Sequence, residues 1–311
     1  MLKENGISRR GRWMKNKRYI FGIFFTLPAV IGVFWLFLWP MLQSFLMSLS
    51  NVAFDVDVGK AVNEYIGLKN YTAALMEDPQ YNRYLVTSLV NMATNVPVIV
   101  FFSFFAATLI NQKFRGRGLA RLIFFLPLVI SSAAILTLDS TDVFQQSMAS
   151  GEFKEIDLST GFLQSLRMEE LLAYTGLPDG IGSFILKAID SVFETISLSG
   201  VQIVILLAAL QSVPSSLYEM AKVEGATPWE IFWKITFVMI SPMLVLCTIY
   251  SIIDSFTAYN NRVILAIENQ MYGVGNMGLA SAMSWIYFGI VTVILLAVAG
   301  VGSRLAFYYD K

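Results

Sequence analysis

The sequence predicts an all-α integral membrane protein with six transmembrane helices and both termini in the cytoplasm. Three observations lead there. Several apolar runs are long enough to cross a hydrocarbon core, which takes a helix of about 20 residues. Of the 311 residues, 56% are apolar, against about 45–50% in soluble domains. The basic residues gather on one side of the apolar runs.

The spans are expected at about 19–49, 84–111, 119–138, 196–214, 236–258 and 279–309. The first is too long for the core of a signal peptide and lacks a small-x-small cleavage site, so it reads as retained. Pro28, Pro40, Pro97 and Pro127 lie within or at the ends of spans. A membrane bundle tolerates such prolines where neighbours satisfy the freed carbonyls.

Orientation follows from Lys and Arg. With the N-terminus inside, the inner segments hold 15 of the 22 basic residues and 5 of the 22 acids. The net charge of zero therefore hides a basic inner face and an acidic outer one. Residues 1–18 form a basic cytoplasmic segment, and residues 19–311 form the transmembrane domain. Within it, about 139–195 is an extracellular insert and about 215–235 a cytoplasmic loop. The insert carries ten acids against Lys154, Arg167 and Lys187. It reads as amphipathic helices on the membrane edge or as a docking site for an external protein. Its Glu169-Glu170 pair lacks the oxygen-ligand spacing of a calcium loop.

Cys247 is the sole cysteine and there is no histidine. That removes internal disulfides, His-based catalysis and most zinc or haem sites. No Gly-x-x-x-x-Gly-Lys-Ser/Thr stretch occurs, so the chain holds no ATP by a P-loop.

The cytoplasmic loop is unusual for so apolar a chain. Pro214-Ser-Ser-Leu ends the fourth span and offers capping hydroxyls. Glu219–Val223 reads as a short helix with acid in its first turn. Gly225 permits a left-handed turn or a close backbone approach. Thr227 is an N-cap with Pro228 at the first helical position. Ile231, Phe232 and Ile235 then share an apolar face. The expectation is helix, glycine turn, helix, with Met220, Ala221 and Val223 exposed unless something covers them. Two readings stand on physics alone: an interfacial hairpin lying on lipid, and a docking helix.

Leu217-Tyr-Glu-Met-Ala-Lys-Val-Glu-Gly-Ala-Thr-Pro-Trp-Glu-Ile-Phe-Trp-Lys-Ile235 resembles the EAA loop of binding-protein-dependent ABC importer permeases. Glu219, Ala221, Gly225, Ala226, Phe232, Ile235 and Pro242 stand where that pattern expects them. Met220 replaces an alanine, Glu224 an aspartate and Val238 a proline. Three further stretches resemble sugar permeases: Ile66-Gly-Leu-Lys-Asn-Tyr71, Phe114-Arg-Gly-Arg-Gly-Leu-Ala-Arg-Leu-Ile-Phe-Phe-Leu-Pro127, and Leu210-Gln-Ser-Val-Pro-Ser-Ser-Leu-Tyr218. The basic N-terminus and Pro40 resemble the first permease of a maltose or multiple-sugar system. The resemblance implies the type I ABC importer permease fold in a bacterial cell membrane. It implies that Glu219, Met220, Ala221, Glu224, Gly225, Ala226 and Phe232 couple the chain to an ATPase. It also implies the partners: a cytoplasmic ABC ATPase dimer, a second permease subunit in a heterodimer, an extracellular solute-binding protein and membrane lipid, with no nucleic acid. ATP and magnesium belong to the ATPase, and no cofactor or catalytic residue is expected in this chain.

The fifth span ends in Ser251-Ile-Ile-Asp-Ser-Phe-Thr-Ala-Tyr-Asn260. Ser251, Asp254 and Ser255 share a helix face by spacing. An intramembrane carboxylate is costly unless it meets water or a partner, which makes Asp254 a candidate for the substrate path. Its other readings are a hydrogen bond between helices or a place in the outer interface. Tyr259 and Asn260 complete the expected path. Tyr250, Phe256, Tyr259 and Trp285 are expected to stack on sugar rings or to form the aromatic belt. Three functions compete: the permease of a carbohydrate or other polar-solute importer, a secondary transporter, and a membrane-embedded enzyme. The last lacks a nucleophile with a base, and the second would call for an inverted repeat.

Overall fold

The computed structural model describes residues 24–55, 60–112, 195–258 and 261–306, with isolated positions between 116 and 192. The basic segment 1–18 lies outside the described residues. So do the third span and the 139–195 insert, apart from those isolated positions.

Among the described residues four helices are long and apolar enough to cross a membrane: Phe24–Ser48, Pro79–Asn111, Pro228–Thr257 and Met277–Arg304. A pair of helices, Gly200–Ser212 and Ser215–Val223, is bent by 60° and adds a fifth span if the two are counted as one. In chain order α1 is Phe24–Ser48, followed by strands β1 (Ser50–Asp55) and β2 (Lys60–Tyr65). Then come α2 (Lys69–Thr72), α3 (Pro79–Asn111), α4 (Gly200–Ser212) and α5 (Ser215–Val223). The short α6 (Pro228–Ile231) runs through a π turn into α7 (Phe237–Thr257). Finally α8 (Arg262–Glu268) continues into a π turn, and α9 (Met277–Leu305) closes the bundle.

The hairpin corrects the all-α expectation. β1 and β2 pair antiparallel, with Ser50 opposite Tyr65 and Asp55 opposite Lys60. A search for long apolar runs passes over two six-residue strands. The chain leaving α1 must still satisfy its backbone groups, and a local ladder does so.

Helix boundaries follow from caps. Asp78 Oδ1 accepts hydrogen bonds from the backbone N–H groups of Gln80 and Tyr81, each at 3.0 Å. Pro79 takes the first position of α3, where no N–H is needed. Asn276 caps α9 by accepting from Leu279 N. In α1 the π turn Phe34–Leu38 directly precedes Trp39-Pro40. A proline ring crowds the carbonyl four residues back, and a widened turn relieves that contact.

Among the described residues two apolar clusters hold the bundle. One joins α3, α4 and α7 through Phe104, Ala107, Ile110, Leu206, Leu210 and Ile240. The other joins α3, α7, α8 and α9 through Tyr81, Leu85, Ile252, Val263 and Met283. By contrast, the first span presents Phe25, Phe34, Trp35 and Phe37 outward and buries almost nothing. Such a face suits lipid, which is as apolar as the side chains it meets.

The Ile66–Tyr71 element has a clear structural task. Asn70 Nδ2 donates to Ser48 O at 2.9 Å and Ser50 O at 3.0 Å. Ser48 Oγ and Tyr71 OH share a hydrogen bond of 2.8 Å. The element therefore ties the hairpin to the end of α1. Gly278 lies against this knot, and a Cβ there would collide with Ser50 O.

Candidate functional site

At one end of the bundle α5 and α6 form the expected helical hairpin. α5 begins at Ser215 behind Pro214, earlier than expected, and no side chain caps it. Its first turn holds no acid either, because Glu219 falls in the second turn. Both points correct the sequence reading; the helix gained a turn that the serines were expected to cap.

The turn is a Schellman motif. Gly225 N donates to Lys222 O at 3.1 Å, and Ala226 N to Ala221 O at 2.9 Å. Gly225 has φ +79° and no atom near its missing Cβ. Of the two roles open to it, the left-handed turn is the one used. The next helix starts with a capping box. Glu230 N donates to Thr227 Oγ1 at 3.3 Å, while Thr227 N donates to Glu230 Oε2 at 3.0 Å. Lys234 Nζ reaches the other oxygen of Glu230 at 3.2 Å. Thr227 and Pro228 take their expected positions, and Glu230 is the partner that the sequence reading passed over, although Thr-x-x-Glu is its signature.

The hairpin is anchored from within. Ala221 is buried, contrary to the expectation that it would be exposed. Phe232 stacks on Phe104 with ring centroids 5.6 Å apart. Tyr218 OH and Thr236 Oγ1 lie 3.2 Å apart, linking α5 to the π turn after α6. Glu219, Met220, Glu224 and Gly225 remain exposed, and Ala226 is half-buried. Val223, at 89% exposure, extends that outward face. The arrangement is a stiff turn carrying apolar and acidic side chains away from the bundle.

The expected path residues do not sit alike. Ser251 is buried in the α4–α7 seam, where its Oγ accepts from Gln202 Nε2 at 2.9 Å. Asp254 and Ser255 are half-buried. Tyr259 and Asn260 lie outside the described residues. Gln202 was missed, although an amide inside Gly200-Val-Gln-Ile-Val-Ile-Leu-Leu207 is a visible signal. It is fully buried, and its Oε1 has no partner among the described residues. Two of the four aromatics are committed to packing. Phe256 meets Tyr287 edge to face at 5.2 Å, and Trp285 meets Phe45 at 5.2 Å.

At the opposite end Asn261 caps α8 by accepting from Val263 N at 3.0 Å. Its Nδ2 donates to Tyr287 OH at 2.7 Å and to Ser88 Oγ at 3.1 Å. One side chain thus joins α3, α8 and α9.

No protein-family model matches the chain. Curated relatives do, over nearly its whole length. A probable ABC transporter permease protein of Bacillus subtilis is 24% identical over 95% of this chain and 94% of its own. The trehalose/maltose transport system permease protein of Thermococcus litoralis is 24% identical over 92% of this chain and 95% of its own. The lactose transport system permease protein of Rhizobium radiobacter is 25% identical over 94% and 95%. Among solved structures, a bacterial alginate ABC transporter in complex with an alginate pentasaccharide-bound periplasmic protein has a chain of the same fold. That chain matches with a TM-score of 0.61 at 17% identity, covering 94% of this chain and 97% of its own.

Proposed function

We infer that this multi-pass membrane protein, a homologue of sugar ABC transporter permeases, is the transmembrane permease subunit of an ABC importer for carbohydrate. The cargo fits an oligosaccharide delivered by an extracellular solute-binding protein. The observation that carries the reading is the doubly capped hairpin, whose exposed Glu219–Glu224 face has no counterpart among the described residues to cover it. A groove on a cytoplasmic ATPase dimer would do so. ATP hydrolysis then falls to that subunit, with its magnesium, and a second, different permease completes the pore. A secondary transporter would have no use for a stiffened protruding hairpin.

The hairpin end faces the cytoplasm, with both termini and the basic residues on that side. Labelling tests this. Val223→Cys should react with an impermeant maleimide only after cells are permeabilised. Met76→Cys, at the opposite end and 82% exposed in the native chain, should react in intact cells. Cys247 is buried and supplies a silent background. Opposite sidedness would overturn the orientation and the ATPase assignment together.

Asp254 sits on the translocation path with Ser255, Tyr259 and Asn260, while Ser251 and Gln202 hold the seam behind them. The motive is energetic, since a carboxylate at the bilayer centre costs about 2.5–3.5 kcal/mol on insertion scales. The function is tested in proteoliposomes holding the permease pair, the ATPase and the binding protein. ATP-driven carbohydrate uptake is expected, reduced in Asp254→Ala at unchanged complex yield. Uptake driven by an ion gradient without ATP would sink the importer reading. Normal uptake at limiting substrate by Asp254→Ala would remove that residue from the path.

A further inference from the structure

At the end of the bundle away from the helical hairpin, α3 and α8 flank a half-open cleft of about 380 Å³. That volume falls within the roughly 300–1,000 Å³ of small-molecule sites. Asp78, Gln80 and Tyr84 line it from the start of α3. Arg262, Asn269 and Gln270 line it from α8 and its π turn. No sequence motif announced this site, because its walls lie almost two hundred residues apart in the chain.

The walls are built rather than incidental. Asp78 is held by its capping bonds to Gln80 N and Tyr81 N. Tyr81, next in line, is buried and donates its OH to Met283 O at 2.7 Å. On the other wall Val263 is fully buried and Asn261 fastens the start of α8 to Tyr287 and Ser88. Both walls thus rest on one apolar cluster. The π turn Asn269–Gly273 closes with Val274 N donating to Asn269 O at 2.9 Å. Gly273 leaves the space that the Asn269 amide occupies, since a Cβ there would collide with Asn269 Oδ1.

The lining has unused hydrogen-bonding capacity. Among the described residues the Arg262 guanidinium makes no hydrogen bond and no ion pair. The side-chain amides of Gln80, Asn269 and Gln270 likewise bond to no described residue. Asp78 keeps one carboxylate oxygen free of its cap. The set combines planar donors and acceptors, one acid against one base, and the ring of Tyr84. Amides and a guanidinium fork present paired groups to neighbouring hydroxyls. The balanced charge favours a neutral ligand over an anion or a cation.

We propose that this cavity is an outer saccharide subsite, which holds part of a neutral oligosaccharide by its hydroxyls before the chain enters the translocation path. The proposal rests on the importer reading and its orientation. The assembled transporter in nanodiscs, without the binding protein, is probed by saturation-transfer NMR. The probes are disaccharides through hexasaccharides of the malto and cello series. Wild type should bind at least one series, and Arg262→Ala with Gln270→Ala should bind it about tenfold more weakly, as expected for two lost neutral-ligand hydrogen bonds. Assembled complex should be recovered in equal amount. Absence of binding by wild type, or binding unchanged in the double variant, would overturn the subsite. Wild type that binds the probes in nanodiscs but, in proteoliposomes holding the ATPase and the binding protein, imports none of them with ATP would instead overturn the importer reading and leave the binding site standing.

Discussion

Gly225→Val should insert into the membrane normally yet lose ATPase binding and at least about tenfold of uptake. Gly225 has φ +79°, where an L-residue is penalised by roughly 1–2 kcal/mol and a β-branched one by more. A factor of ten corresponds to about 1.4 kcal/mol. The strain would also withdraw the two Schellman bonds from Gly225 N and Ala226 N. The angle between α5 and α6 would then no longer be set, and the Glu219–Glu224 face would meet its partner in many orientations. The chain itself leaves open space at Gly225, so backbone and contact effects separate. Gly225→Asn tolerates the left-handed region. If it restores uptake, the turn alone matters. If it fails as badly as valine, the missing Cβ is space that the ATPase occupies. Wild-type uptake by the valine variant would refute the coupling role.

Gly278→Val should have the second large effect, on assembly rather than coupling. A Cβ at this position would meet Ser50 O, with Asn70 Nδ2 also at 3.0 Å. Ser50 O is backbone at the root of the hairpin, so no rotamer change relieves the clash. Moving it would break the hydrogen bond from Asn70, which also serves Ser48 O. Overpacking costs about 1–3 kcal/mol, and a stranded buried amide adds about 1–3 more. Detergent-extracted complex should fall severalfold, and thermal inactivation should come at lower temperature. Uptake per assembled complex should stay near wild type, because the knot lies far from the α5–α6 helical hairpin. Unchanged yield would show that the α9–hairpin contact is dispensable.

Much of the candidate site was readable from local chemistry. Gly225, Thr227 and Pro228 specify a turn and a helix start through their own backbone limits and through bonds three or four residues away. The four long spans among the described residues were readable for a similar reason, because bilayer thickness sets their length. The β1–β2 hairpin was not readable in that way. Its six-residue strands carry no long apolar run, and backbone pairing rather than side-chain pattern holds them.

By itself, then, the sequence determined an apolar bundle with its charges sorted by sign along the chain, a capped helical hairpin and likeness to sugar permeases. Each depends on composition, sidedness or spacing within a few residues. Tertiary packing decided which side of each helix was spent on the core. It turned Ala221 and Phe232 inward while Met220 and Val223 stayed out. It paired Ser251 with Gln202, 49 positions away, and brought Asp78 and Arg262 to one cavity. Helical spacing places residues on a common face, but only the neighbouring helices determine what that face meets.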